Sequence, residues 1–442
     1  MRLARALLWS IIGTPVVTCA FVSCATPVVP ARPAEKARTA ETSSAPPPAA
    51  KPPNEAAIEP SWVTTPRPDL RKLTVVVKAQ PPRELVAMYR GLAARYKVLK
   101  PLFSAHADES FGSGFVMVRR EAAQDLRVFV VTNRHVVGLA SEAAVSFEGA
   151  DVPRVAKVVY VDDVYDLAVL ALESADELQG GLSIEPVPAR DQDLVVASGF
   201  PGIAGKPSYQ VTRGYVSNER FSLSDGGSEQ HYVQHTAPID PGSSGGPLTS
   251  QDGRLLGVNT LKVRNRENVG LAVPAAVVDQ ALAEVLRGAP RDARAECEEV
   301  VRRLDENAGA SLALERSISA RMVAEQGLAS LSDLPGDGSE WRDRFIDDPT
   351  EVFLRAIALR LQSAANTKDS AAVACTPSGT PGSTTASFKT RLGGKERTLT
   401  FGLEQSRWKL LQGALSEQTR ASFLDEIDRP RGPRKKWKPS LK

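Results

Sequence analysis

Between residues 112 and 274 the apolar residues fall in short, valine-rich runs separated by turns such as Pro201-Gly202, Asp225-Gly226-Gly227 and Asp252-Gly253. Runs of that length and spacing suit antiparallel sheet closed into barrels. The chain has 442 residues, which is enough for two or three domains, and its 42% apolar content suffices for real cores. Within this β region one turn stands out, Asp240-Pro241-Gly242-Ser243-Ser244-Gly245-Gly246-Pro247-Leu248, with a serine at its centre.

A serine hydroxyl is a poor nucleophile at neutral pH and needs a base beside it, with hydrogen-bond donors where negative charge develops on the attacked oxygen. Glycine at 242, 245 and 246 opens backbone conformations closed to other residues and lets the N–H groups of Gly242 and Ser244 point together as an oxyanion hole. Taken alone, such a string is an ordinary surface turn. Two upstream residues change that reading. His135, one of only four histidines, ends the apolar run Val130-Val131-Thr132-Asn133-Arg134, placed to reach across a cleft as general base. Asp166 stands at the mouth of Leu167-Ala168-Val169-Leu170-Ala171-Leu172, where a partly buried acid needs a donor. An imidazole N–H serves, and the acid in turn fixes the tautomer of the base.

The order His135, Asp166, Ser244, with gaps of 31 and 78 residues, resembles the trypsin-like serine proteases of the HtrA/Deg type. Further segments resemble that branch in the expected order: Gly112-Ser113-Gly114-Phe115-Val116, Ser198-Gly199-Phe200-Pro201-Gly202, Val211-Thr212-Arg213-Gly214-Tyr215-Val216-Ser217 and Gly270-Leu271-Ala272-Val273-Pro274. The resemblance covers residues 105 to 288 and implies an all-β double barrel, two six-stranded barrels with the site between them. It also implies that Pro238, six residues before the nucleophile, forms the floor of the primary specificity pocket. With no acid there, recognition of a substrate Lys or Arg is not expected. Ser243 stands where digestive enzymes carry an aspartate that pairs with a new N-terminus, so activation by that ion pair is not expected either. The orientation of Asp240 stays open.

The flanks read differently. Met1 to Ser23 has a basic start and an apolar run broken by Gly13 and Pro15, which fits an export signal. Val22-Ser23-Cys24-Ala25 resembles a bacterial lipoprotein cleavage site, with Cys24 as the lipid anchor, while soluble export and an uncleaved anchor stay open. Residues 25–60 are a Pro- and Ala-rich tether. Residues 61–104 are expected to form an N-terminal extension, with Leu73 to Val77 a strand and Pro82 to about Val98 a helix; which piece supplies the first barrel strand stays open. A helix from Ala275 to about Arg287 closes the protease unit.

No PDZ-like pattern follows. Residues 289–428 read as an α+β domain, with amphipathic helices over 293–332, a helix near 349–363 and three strands from Ala386 to Leu411. The tail 429–442 carries seven basic residues and no acid. Without Cys19 in the leader and Cys24 as anchor, two thiols remain, and in an oxidising compartment Cys297 and Cys375 are expected to form a disulfide. The formal charge of +3 becomes +1 without Arg2 and Arg5, which does not suggest a nucleic-acid binder. His231 and His235, four residues apart on a strand, lie about 13 Å apart and cannot share a metal unaided. The expectation is therefore a serine endopeptidase acting on protein or peptide substrates without metal or cofactor, lipid-anchored in the periplasm or cell envelope. The alternative is a catalytically idle protease fold that serves as a binding scaffold.

Overall fold

The computed structural model describes residues 60–413 apart from 123–124, 174–177, 179, 186, 204, 226–227, 263–267, 289–291, 306–311, 332–347, 366–373, 379–381 and 383, all within one compact unit, 57–442. The leader, Cys24, the basic tail and nearly all of the tether lie outside the described residues.

Two barrels form the β region. In the first, strands Thr74–Ala79, Ser110–Ala122, Asp125–Thr132, Ala168–Leu172, Arg154–Val161 and Glu142–Ser146 pair antiparallel in that order, and the last returns to the first. The second is a closed ring of Gln210–Asp225, Ser228–His235, Gly270–Pro274, Leu255–Lys262, Pro247–Ser250 and Leu194–Gly199. Closure leaves no open sheet edge and makes an interior that valine fills: Val75, Val77, Val130, Val131, Val145 and Val169 have no exposed surface. The helix Ala275–Arg287 packs Val278, Ala281 and Leu282 into the core of the first barrel and ends at Gly288, whose φ of +92° suits glycine.

The expected extension 61–104 does not exist as one piece. Thr74–Ala79 is a barrel strand, held on both edges by Ser110–Ala122 and Glu142–Ser146. The helices Arg83–Arg95 and Lys100–Ala107 instead belong to the core of the C-terminal unit, where Leu85, Met88, Leu92 and Phe103 pack with Val300, Leu314, Phe353, Ile357 and Phe401. The boundary set at residue 105 is corrected accordingly. The stripe on Arg83–Arg95 was legible, but an apolar stripe does not say which partner it meets.

The rest of the C-terminal unit has helices Ala293–Asp305, Leu312–Arg316, Ala320–Leu331 and Pro349–Ala365 against a four-stranded antiparallel sheet, in the order Thr376–Pro377, Thr385–Leu392, Lys395–Glu404, Arg407–Gln412. Strict alternation along Thr385–Leu392 buries Ala386, Phe388, Thr390 and Leu392, and Gly393-Gly394, both at positive φ, makes the tight turn to the next strand. Cys297, on the stripe with Val300, Val301 and Leu304, is disulfide-bonded to Cys375 across a Cα separation of 6.2 Å, and both are fully buried. The bridge ties the first helix to the start of the sheet. Closing a loop of 78 residues is worth about 4–5 kcal/mol in the chain-entropy model. Replacing both cysteines by alanine is expected to lower the denaturant midpoint of the C-terminal unit, and non-reducing mass spectrometry is expected to find no alkylatable thiol at either position after denaturation.

Candidate active site

The first barrel delivers two of the three expected groups. Strand Asp125–Thr132 leaves the barrel through Asn133, which is extended, into a single helical turn, Arg134–Val137, stopped by Gly138 at φ +53°. That turn lifts His135 to the rim, where 43% of its side chain is exposed. Asp166 precedes the buried Leu167 and Ala168 and is only 14% exposed. Its Oδ2 accepts from His135 Nδ1 at 2.6 Å and from Thr260 Oγ1 at 2.5 Å, and its Oδ1 accepts from the His135 N–H at 3.0 Å. The backbone is braced as well, since Asn133 Nδ2 donates to Asp166 O at 2.7 Å and Arg134 Nη1 to Tyr165 O at 2.7 Å.

These contacts decide the electrostatics. Burial alone would push the His135 imidazole down, but the charge and hydrogen bond of Asp166, helped by Asp348 and opposed by Arg134, leave it raised above its ordinary value. Burial would likewise raise the Asp166 carboxyl, yet His135, Arg134 and the Thr260 hydroxyl together hold it well below the usual carboxylate range. The result is an acid ionised at neutral pH, paired with a base whose proton affinity is enhanced.

Ser244 comes from the second barrel, on a turn held by both. Ser113 N–H donates to Ser244 O at 2.8 Å from the first barrel, and Gly245 N–H donates to Asn259 O at 2.8 Å in the second. Gly245 has φ +86°, and a Cβ there would lie 2.1 Å from Ser113 O, so the close approach demands glycine. Ser113 Oγ donates to Gly242 O at 2.6 Å and accepts from Phe200 N–H at 2.8 Å, which fixes the peptide before the serine. Among the described residues the Gly242 and Ser244 N–H groups have no backbone acceptor, and both residues are half-buried, as donors awaiting an oxyanion would be.

Ser244 Oγ donates to Thr260 O at 3.3 Å rather than to His135. Thr260 therefore touches two of the three groups, Asp166 through its hydroxyl and Ser244 through its carbonyl. Thr260 carries no local signal for such a role, whereas Ser113 lies in the segment Gly112-Ser113-Gly114-Phe115-Val116. Both act through folding partners distant in the chain.

Pro238, which the resemblance puts at the floor of the specificity pocket, is exposed. His235, Ala237 and Ile239 are buried, whereas Pro238 and Asp240 are exposed. The Pro238 carbonyl accepts from Thr212 Oγ1 at 2.8 Å. The His235 imidazole lies against Gly270 and is pushed down to about 4 by burial, so it is neutral at pH 7. His231 meets Arg220 and Ser222 through its ring nitrogens. His135 and Asp166 also border a cavity of about 740 Å³, whose other walls include Tyr89, Tyr232 and Asp348.

Fold and site define a trypsin-like peptidase domain, and residues 112–258 match the family model for the trypsin-like peptidase domain. The chain resembles serine proteases of the HtrA type: it is 32% identical over 191 residues to serine protease Do-like HtrA of Bacillus subtilis, covering 41% of each chain. It is 31% identical over 189 residues to serine endoprotease DegS of Escherichia coli, covering 40% of this chain and 49% of that one. The chain thus spans less than half the length of these relatives. A crystal structure of an M. tuberculosis protease in its active form aligns at 25% identity and a TM-score of 0.37, over 49% of this chain and 82% of that one.

Proposed function

We propose that the protein is a serine endopeptidase that cleaves peptide bonds by acylation of Ser244. The observation that carries this reading is the 2.6 Å bond between His135 Nδ1 and Asp166, which leaves Nε2 free to accept a proton. Ser244 Oγ attacks the peptide carbonyl carbon as its proton passes to His135 Nε2, and the oxyanion is held by the N–H groups of Gly242 and Ser244. His135 returns that proton to the leaving amine, and water, deprotonated by the same imidazole, then hydrolyses the acyl ester. In the substrate-free molecule the serine hydroxyl must exchange Thr260 O for His135 as its acceptor. A fluorophosphonate probe tests the reading: labelling of Ser244 in the purified mature protein supports it, and an unlabelled, folded protein overturns it. That hydroxyl, resting on Thr260, is also the observation behind the second reading, an idle protease fold that binds unfolded proteins, and absence of labelling selects it.

The leader-like start and the Val22-Ser23-Cys24-Ala25 segment support export and a lipid anchor at Cys24, with work in envelope protein quality control. Incorporation of labelled palmitate in the wild type, and its loss in Cys24→Ala, would be the expected result. For specificity, the resemblance puts Pro238 at the floor of the pocket, and no carboxylate stands at that position. Cleavage is therefore expected after small or medium aliphatic residues, because a cationic side chain would be desolvated there without a partner. A peptide library cut mainly after Arg or Lys would refute this.

A further inference from the structure

The C-terminal unit touches the peptidase domain at the two loops that carry His135 and Asp166. The contact is made by the turn between strands Lys395–Glu404 and Arg407–Gln412. Gln405 and Ser406 form that turn at φ +52° and +58°, conformations usually left to glycine or asparagine, so tertiary contacts must hold them. Gln405 is 2% exposed, and its amide nitrogen donates to Gly138 O at 2.9 Å and Ala140 O at 3.0 Å. Its Oε1 accepts from Lys409 Nζ at 2.5 Å, and Lys409 is itself buried. Gly138 is the residue that stops the helical turn bearing His135, where backbone carbonyls are left without helical partners. Two residues along, Arg407 reaches Asp163 at 2.5 Å and 3.4 Å, three positions before Asp166. From the neighbouring helix Pro349–Ala365, Glu351 lies 3.9 Å from Arg134 Nε and is gripped by Arg316 through two bonds of 2.8 Å.

We propose that Gln405 and Arg407 are positioning residues of the peptidase site: one turn of the C-terminal sheet clamps the His135 loop to the Asp166 loop and sets their geometry. The C-terminal unit is on this account part of the catalytic fold, and its effect on rate rests on the serine-endopeptidase reading above. A unit that merely docked there would add stability without touching the imidazole. The two roles separate experimentally because the groups that chiefly set the His135 charge, Asp166, Arg134 and Asp348, do not include Gln405 or Arg407, and loss of the Arg407 cation would by itself move the titration up. A downward change in His135 titration on altering the turn therefore reports altered geometry.

The test uses the full chain. Gln405→Leu with Lys409→Met removes the buried polar pair together, leaving no orphaned ammonium, and Arg407→Met cuts the second arm. Titration of His135 by NMR with labelled histidine is expected to move down, towards the free imidazole value, in both variants. The rate of fluorophosphonate labelling is expected to fall at least tenfold, and kcat for a peptide to fall with KM little changed. Arg407→Lys, which keeps the charge on Asp163, is expected to recover part of the loss. Folded variants with wild-type His135 titration and labelling rate would overturn the proposal. Should the paired Gln405 and Lys409 variant fail to fold, Asp163→Asn cuts the Arg407 arm from the protease side, at a residue whose side chain is 27% exposed, and carries the same expectations as Arg407→Met. If wild type does not label, the peptidase reading fails, while the His135 titration still decides the clamp.

Discussion

Ser244→Ala is expected to lower peptide cleavage by several orders of magnitude while leaving the fold intact. The turn that carries the serine is held by backbone bonds, Ser113 N–H to Ser244 O, Gly245 N–H to Asn259 O and Ser243 N–H to Asp240 O, none of which uses the hydroxyl. The substitution removes one side-chain bond, to Thr260 O, worth about 0.5–1.5 kcal/mol. The thermal midpoint should therefore move by only a few degrees. Activity is a different matter, because without Oγ there is nothing to acylate. His135→Ala should fall to a similar floor, and the double variant little further, because the members of such a constellation act as one unit. The check is cleavage of a casein-type substrate by preparations free of contaminating protease. Retention of most of the wild-type rate by Ser244→Ala would place the nucleophile elsewhere.

The elements that bear the chemistry were legible because each motif is local: a glycine-rich turn, a histidine after a valine run and an acid before one all keep their signature within ten residues. The barrels were legible for the same reason, through short runs and turn residues. Long-range assembly was not. Thr74–Ala79 is a barrel strand and Arg83–Arg95 a helix of another core, yet both show only an apolar pattern that any buried partner would satisfy. Thr260 sits in ordinary β sequence, and its importance, like the contacts of Ser113, arises from closure that brings residues 94 and 129 positions apart into hydrogen-bond contact.

Asp166→Asn is expected to cost about four orders of magnitude in kcat, nearly as much as loss of the nucleophile, although it changes one oxygen to an amide nitrogen. The geometry explains why the amide would sit the wrong way. The Oδ1 position faces the backbone N–H of His135 at 3.0 Å, a donor that can only meet an oxygen, so the asparagine must place its NH2 at the Oδ2 position. There it faces His135 Nδ1 at 2.6 Å and forces that nitrogen to accept. The imidazole proton then moves to Nε2, where it confronts the serine hydroxyl and cannot take its proton. Thr260 Oγ1 does not prevent this, because a hydroxyl can turn from donor to acceptor. The pH profile supplies an independent reading. A general base must be neutral, so wild-type kcat/KM rises with pH through the raised His135 value. Removing the Asp166 charge leaves burial as the dominant influence on His135, and the residual activity should rise at lower pH than in the wild type. Stability should respond in the matching sense. The depressed Asp166 carboxyl contributes stability that is present above its unfolded value of about 3.9 and lost as pH falls through its lower folded value, and Asp166→Asn should lose that contribution at neutral pH. An Asp166→Asn variant with near wild-type kcat, or with an unmoved acid limb, would remove Asp166 from the role assigned to it.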